Sequence, residues 1–165
     1  MNDGFDRREF LNRGWKAGVV MIGCAGAWTS WDLLRPLPGS GLSGVVKTLP
    51  EADVFSGTAV YVRSAQTYLT KIDEAVVALW QKCPHLGCRV SWCENSSEFE
   101  CACHGSKFNR AGEVRSGPAP RGMDRFAVTI NADGVVEVDT GSVTHGPPAG
   151  TAESIDEPPT GESCT

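Results

Sequence analysis

Six side chains able to bind a metal fall within 22 residues of this 165-residue chain: Cys83, His85, Cys88, Cys101, Cys103 and His104. They form two boxes, Cys83-Pro84-His85-Leu86-Gly87-Cys88 and Cys101-Ala102-Cys103-His104-Gly105-Ser106. Each box offers a cysteine and a histidine at chelating separation, C-x-H in the first and C-x-x-H in the second, and each adds one further cysteine. The whole chain has only 7 cysteines and 3 histidines, so an even scatter does not produce this grouping. Any fold the chain adopts has to bring the two boxes together. Thiolates suit iron, and neutral imidazoles suit the same borderline metals. Structural zinc is the alternative for such a cluster. Zinc fingers, however, show paired C-x-x-C-like knuckles or a helical H-x-x-x-H, and neither pattern stands here.

Around the boxes the sequence reads as a tethered domain. Residues 1–16 are polar and basic, with Arg7, Arg8, Arg13 and Lys16, whereas residues 17–31 carry no charge. That run is shorter than the about 20 residues of a usual bilayer span. Trp15 and Leu33-Leu34 extend it, and Trp15, Trp28 and Trp31 sit near its ends as interfacial tryptophans do. Residues 14–34 are therefore expected to form a transmembrane anchor in a bacterial cytoplasmic membrane. The basic flank keeps the N-terminus cytoplasmic and puts the remainder on the periplasmic or outer face. Gly14, Gly18, Gly23 and Gly26 would let another helix approach closely. The alternatives are a cleavable signal peptide cut near Ala25-Gly26-Ala27 and, more weakly, a lipoprotein cysteine at Cys24. Within the basic segment, 1–13, Asp6-Arg7-Arg8-Glu9-Phe10-Leu11 resembles a twin-arginine export signal; ordinary positive-inside charge is its alternative. That pathway exports folded proteins, which suits a metal inserted before export.

Residues 35–44 are rich in Pro and Gly and read as a flexible hinge. A small all-β domain follows at 45–142, with strands expected at 58–62, 67–72, 75–80, 125–130 and 135–139. The last two flank Asn131-Ala132-Asp133-Gly134, a hairpin signal. Residues 143–165, dominated by Pro, Gly, Thr and acid, are expected to be a disordered tail. The net charge of −5 offers no basic face, so nucleic acid is not an expected partner.

Both boxes resemble those of the Rieske proteins of cytochrome bc-type quinol oxidases, and the resemblance covers about residues 48–141 together with the anchor-and-linker plan. It implies the Rieske fold, a small antiparallel sandwich with a rubredoxin-like cluster-binding subdomain, behind one N-terminal transmembrane helix. It also implies a [2Fe–2S] cluster in which Cys83 and Cys101 bind one iron and His85 and His104 the other. Two neutral imidazoles in place of thiolates raise the potential of such a centre. A disulfide between Cys88 and Cys103 is implied too, and an exported head is compatible with it. Rieske ferredoxins and ring-hydroxylating dioxygenases generally lack that pair, so it favours the quinol-oxidising branch; two free buried thiols are the alternative.

By the same resemblance Ser106 donates a hydrogen bond to a bridging sulfide, with a plain turn serine as the alternative. Phe108 stands where quinol-oxidising relatives often carry a tyrosine that bonds a ligand sulfur. Loss of that donor lowers the potential and points to menaquinol or another low-potential quinol. Gly117, Pro118, Ala119 and Pro120 resemble the proline loop that covers the cluster, and Ala102 departs from a usual proline. Cys93 is read as a buried small hydrophobe and His145 as solvated.

The implied function is one-electron transfer in a respiratory or photosynthetic bc-type complex, as the electron-transfer subunit of a quinol:cytochrome c oxidoreductase that is not catalytic alone. His104 meets the quinol and accepts its proton, a cytochrome b subunit takes the second electron, and a c-type cytochrome receives the first after the head swings on the hinge. The alternative is the small electron-transfer subunit of a periplasmic molybdenum oxidase of the arsenite oxidase kind.

Overall fold

A computed structural model describes residues 6–35, 44–151, 153–155 and 157–165. Residues 36–43, which make up most of the expected hinge, lie outside the described residues, as do residues 1–5. The chain divides into two units, 1–40 and 41–165.

Among its described residues the first unit contains one helix, α1 (Arg7–Leu34). It starts where the Asp6 side chain accepts from the backbone N–H of Arg8, satisfying one of the donors a helix leaves open at its N-terminus. Glu9 pairs with Arg13 one turn on, and Asp32 with Arg35 at the other end. None of its residues is buried. Its 28 residues span about 42 Å at about 1.5 Å each, and its length and composition would let it cross a membrane. The helix takes in the basic segment as well as the expected anchor.

In the second unit, alternating β-branched residues build a six-stranded antiparallel sheet. Its strands are β1 (Val45–Pro50), β2 (Ala59–Val62), β3 (Thr67–Ile72), β4 (Ala75–Trp80), β9 (Arg125–Ile130) and β10 (Val135–Thr144), in the order β1-β10-β9-β4-β3-β2. The β9–β10 turn works as its sequence suggests. Gly134 takes φ 75°, and the Asn131 side chain accepts from the N–H groups of Asp133 and Val135. Val62, Leu69, Ala78, Phe126, Val136 and Val138 pack into one apolar core, so strands from across the sheet share a single interior.

Neighbours β4 and β9 are joined by residues 81–124, and this insertion forms a second sheet. That sheet contains β5 (Ser91–Cys93), β6 (Glu98–Cys101), β7 (Ser106–Phe108) and β8 (Val114–Ser116), in chain order and antiparallel. Its two ends are held together: Ala78 pairs with Phe126 and Leu79 with Arg125, and the Trp80 N–H donates to the Asp124 carbonyl at 2.8 Å. Both cysteine–histidine boxes lie inside the insertion.

The C-terminal segment departs from expectation. β10 runs on to Thr144, and the described residues beyond it are tied to the small sheet instead of being free of it. Cys164 forms a disulfide with Cys93, so Cys93 is a cross-link and not a lone buried thiol. Glu157 forms an ion pair with the buried Arg110, Glu153 pairs with Arg115 at 3.0 Å, and the Ser154 N–H donates to Glu113 at 2.9 Å. At the end of the strap sits the carboxylate of Glu100, only 1% exposed. It accepts from Ser96, Ser163, Thr165 and the backbone N–H of Cys164. Burial acts to raise this carboxyl, but those donors outweigh it and hold it below its ordinary value. The composition that suggested disorder lacks apolar residues for a core; the attachments are polar and covalent, and those leave no hydrophobic pattern.

The Cys93–Cys164 bond closes a loop spanning 71 residues of separation. Cys164→Ser is expected to lower the unfolding free energy by about 2–4 kcal/mol, measured by denaturant unfolding of the detergent-solubilised chain. An unchanged midpoint would mean that the strap adds nothing to the stability of the head.

Candidate metal centre

The two boxes are built on one turn. In the first, the Gly87 N–H returns to the Cys83 carbonyl at 2.9 Å; in the second, the Gly105 N–H returns to the Cys101 carbonyl at 2.9 Å. Both glycines have positive φ, 82° and 71°, a conformation that side-chain-bearing residues avoid. The first loop is closed further by Cys83 N–H to Cys88 carbonyl at 2.7 Å and Val90 N–H to Gln81 carbonyl at 2.8 Å. The second loop joins β6 to β7.

A disulfide between Cys88 and Cys103 ties the loops together, with the Cα atoms 6.6 Å apart. Cys83 and Cys101 are free and buried, each 2% exposed. They belong to the apolar cluster that also holds Tyr68, Leu79, Val90, Phe99, Phe108 and Met123. The Cys101 sulfur lies within 4.8 Å of both disulfide sulfurs, so the cross-link roofs that side of the site.

Burial pushes the Cys83 thiol up, and the neighbouring Cys101 thiol, within hydrogen-bonding reach, pushes it further, against N–H groups of His85 and Leu86 that favour the thiolate. A thiol held neutral in this way becomes an acceptable thiolate when a bound cation supplies the compensating charge.

The two histidine rings lie beside each other. Their ring centroids are 4.8 Å apart with planes at 89°. His85 is half-buried, and its Nδ1 is enclosed without a hydrogen-bond partner. His104 is exposed. A buried imidazole nitrogen left unpaired is costly unless it serves as a ligand. The donor set, two sealed sulfurs on one side and two adjacent imidazoles on the other, fits a two-iron centre with sulfur and nitrogen ends.

A third segment covers the site. Gly117 has φ 93°, and a Cβ there would lie 2.5 Å from the Ser106 Cα and 2.8 Å from the Gly105 carbonyl oxygen. Pro118, Ala119 and Pro120 follow, and the Ala119 N–H donates to Ser106 Oγ at 3.2 Å. That contact fixes the buried serine oxygen as an acceptor and leaves its own hydrogen to donate. The loop is backed by residues after β10: Gly122 N–H to Pro147 carbonyl at 2.7 Å and Ala149 N–H to Pro120 carbonyl at 3.0 Å. Phe108 is fully buried, opposite Phe99 in the β6–β7 register. His145 is mostly exposed, with Nδ1 3.0 Å from Asp124.

Sequence reasoning missed the Cys93–Cys164 bond. Its one signal is parity: with the two free buried cysteines, the Cys88–Cys103 pair and the helical Cys24 set aside, two cysteines remain.

The Rieske [2Fe–2S] domain family model matches residues 44–129. The chain is 31% identical over 147 residues to the cytochrome b6-f complex iron-sulfur subunit of Synechococcus sp. (strain JA-3-3Ab), covering 78% of this chain and 84% of that one. It is 26% identical over 142 residues to the subunit of the same name from Chlorobaculum thiosulfatiphilum, covering 80% and 75%. Among solved structures, the cyanobacterial plasma membrane Rieske protein PetC3 from Synechocystis PCC 6803 aligns with 57% of this chain and 98% of its own, at 24% identity and TM-score 0.48.

Gly117→Ala places a methyl group against the Ser106 backbone in a φ region that costs a substituted residue about 1 kcal/mol or more. The variant is expected to lose cluster content, read as visible absorbance per mole of protein, while the far-ultraviolet circular dichroism of the six-stranded sheet persists. Wild-type cluster content would show that the close approach is not needed.

Proposed function

The chain belongs to the Rieske [2Fe–2S] family, and on that premise we propose that it is the electron-transfer subunit of a membrane bc-type complex, oxidising quinol one electron at a time and delivering the electron to a c-type cytochrome. The observation that carries this reading is the Cys88–Cys103 clamp between two loops whose sulfur pair is sealed in the core while His104 lies exposed. It is supported by relatives that are named as cytochrome b6-f complex iron-sulfur subunits. In this reading Cys83 and Cys101 hold one iron, and His85 and His104 the other. When bound, the cluster supplies one-electron redox chemistry at a raised potential.

The protein's own residues do the rest. The exposed His104 ring meets the quinol hydroxyl and holds its proton on a ring nitrogen. The Cys88–Cys103 bond and the 117–120 loop keep water from the sulfur side. Ser106, its oxygen engaged by the Ala119 N–H, keeps its hydroxyl hydrogen free and would donate it to the bound cluster. Phe108 offers no such donor, and the partner quinol is therefore a low-potential one such as menaquinol. α1 anchors the chain with its N-terminus in the cytoplasm, the Arg7-Arg8 pair belongs to a twin-arginine export signal, and the 35–44 segment lets the head move between its donor and its acceptor.

The complex extracted from membranes is expected to contain cytochrome b and c-type haem and to give a rhombic EPR signal on addition of quinol. Co-purification with a molybdopterin subunit instead would place the chain with the arsenite oxidase kind. Phe108→Tyr is expected to raise the midpoint potential by about 40 mV, the equivalent of about 1 kcal/mol for one electron, and Ser106→Ala to lower it by a similar amount. An unchanged potential in Phe108→Tyr would remove the argument for a low-potential quinol.

A further inference from the structure

We infer that the rim of the first box, formed by Lys82, Arg89 and Arg121 around the apolar tip of Leu86, docks an electron-accepting protein whose own face carries carboxylates. The inference rests on the electron-transfer role proposed above and specifies the chemistry of the acceptor.

The rim is unusual in its charge. Lys82 and Arg89 pair across an antiparallel bridge at the base of the loop. Like charges placed opposite one another destabilise a strand pair, and among the described residues no carboxylate forms an ion pair with either. Each lies instead over an aromatic ring: Lys82 Nζ is 5.0 Å from the Trp80 centroid, and Arg89 Cζ is 4.7 Å from that of Tyr61. A ring face holds a cation in place without neutralising it. Both side chains are exposed.

Beside them a cleft of about 340 Å³ is lined by Lys82, His85, Leu86, Arg121 and Asp124 among others. Asp124, the one acidic group in that lining, is already engaged by Arg121 and by His145. The rim is thus net positive on a chain whose formal charge is −5. Such a local patch against an opposite background orients an approaching partner. Leu86 is 71% exposed at the loop tip. An apolar centre within a charged rim is the anatomy of a transient protein interface.

Anionic lipid headgroups would also suit these cations. The three cations, however, stand at the base of the loop that carries Cys83 and His85 or line the cleft beside it, and proximity to that loop matters to a redox partner and not to a lipid. Docking forms and breaks no covalent bond. One electron leaves the reduced centre and converts one ferric haem of the acceptor to ferrous haem, and any proton held on the imidazole passes to solvent.

The test uses the full chain in detergent, reduced beforehand and mixed in a stopped-flow instrument with an acidic and, separately, a basic c-type cytochrome. With the acidic cytochrome the second-order rate is expected to fall about tenfold as salt rises from low to about 0.5 M, and with the basic one to stay flat or rise. Lys82→Glu with Arg89→Glu is expected to exchange the two patterns while the EPR signal of the cluster is retained. The wild-type salt dependence needs no variant, so misfolding of the double variant would not shield the inference. Equal rates and salt responses for the two cytochromes would overturn it. Salt-insensitive transfer combined with sedimentation of wild type, but not the double variant, on phosphatidylglycerol vesicles would overturn it in favour of lipid. Failure of either cytochrome to oxidise the centre at any salt would instead count against the electron-transfer role itself.

Discussion

Two cysteine sulfurs set side by side in an apolar core are the constraint on which the head depends. Both are buried, each thiolate would repel the other, and burial alone already drives the Cys83 thiol upward. On the proposed ligand assignment, iron bound by both sulfurs would make them acceptable neighbours, and cluster and core would be one stability problem. The same packing that excludes water from Cys83 and Cys101 leaves the imidazoles on the outer side. The apolar cluster therefore sets the direction of the site: the cysteine sulfurs lie inward, and His104 lies at the surface. The two glycine-based turns, the disulfide and the 117–120 loop are ways of holding that polarity against loops with little regular hydrogen bonding of their own.

Much of this was legible in the sequence for identifiable reasons. β3, β4 and β9 coincide with expected strands because each is a six-residue run rich in β-branched and aromatic residues, long enough for its pattern to be seen. β2 was located to within a residue at its start, and β10 continues past Asp139 to Thr144, where Gly141 and Ser142 mask the alternation. The small strands β5, β7 and β8 have only three residues each, too few to establish any period. They exist because residues 81–124 are held between paired β4 and β9, a tertiary cause that no local window contains.

The site divides along the same line. Cysteines and histidines declare themselves by type and spacing, and a glycine that permits close approach does so only through its neighbours. Gly117 reads as part of an ordinary turn until the Ser106 backbone is found against it. The tail was the main surprise. Its acidic residues suggested solvation, yet Glu153 and Glu157 meet Arg115 and Arg110, partners 38 and 47 positions upstream. Composition reports whether a segment can form a core of its own; it is silent on whether another part of the chain presents complementary charge.

The two disulfides also give the head an unusual covalent topology. One joins Cys88 to Cys103 and the other Cys93 to Cys164, so their loops overlap. A single backbone cut anywhere from just after Cys88 to just before Cys164 leaves the two pieces linked through sulfur. A nick in a surface turn there would then be damage without loss: both boxes stay on one molecule.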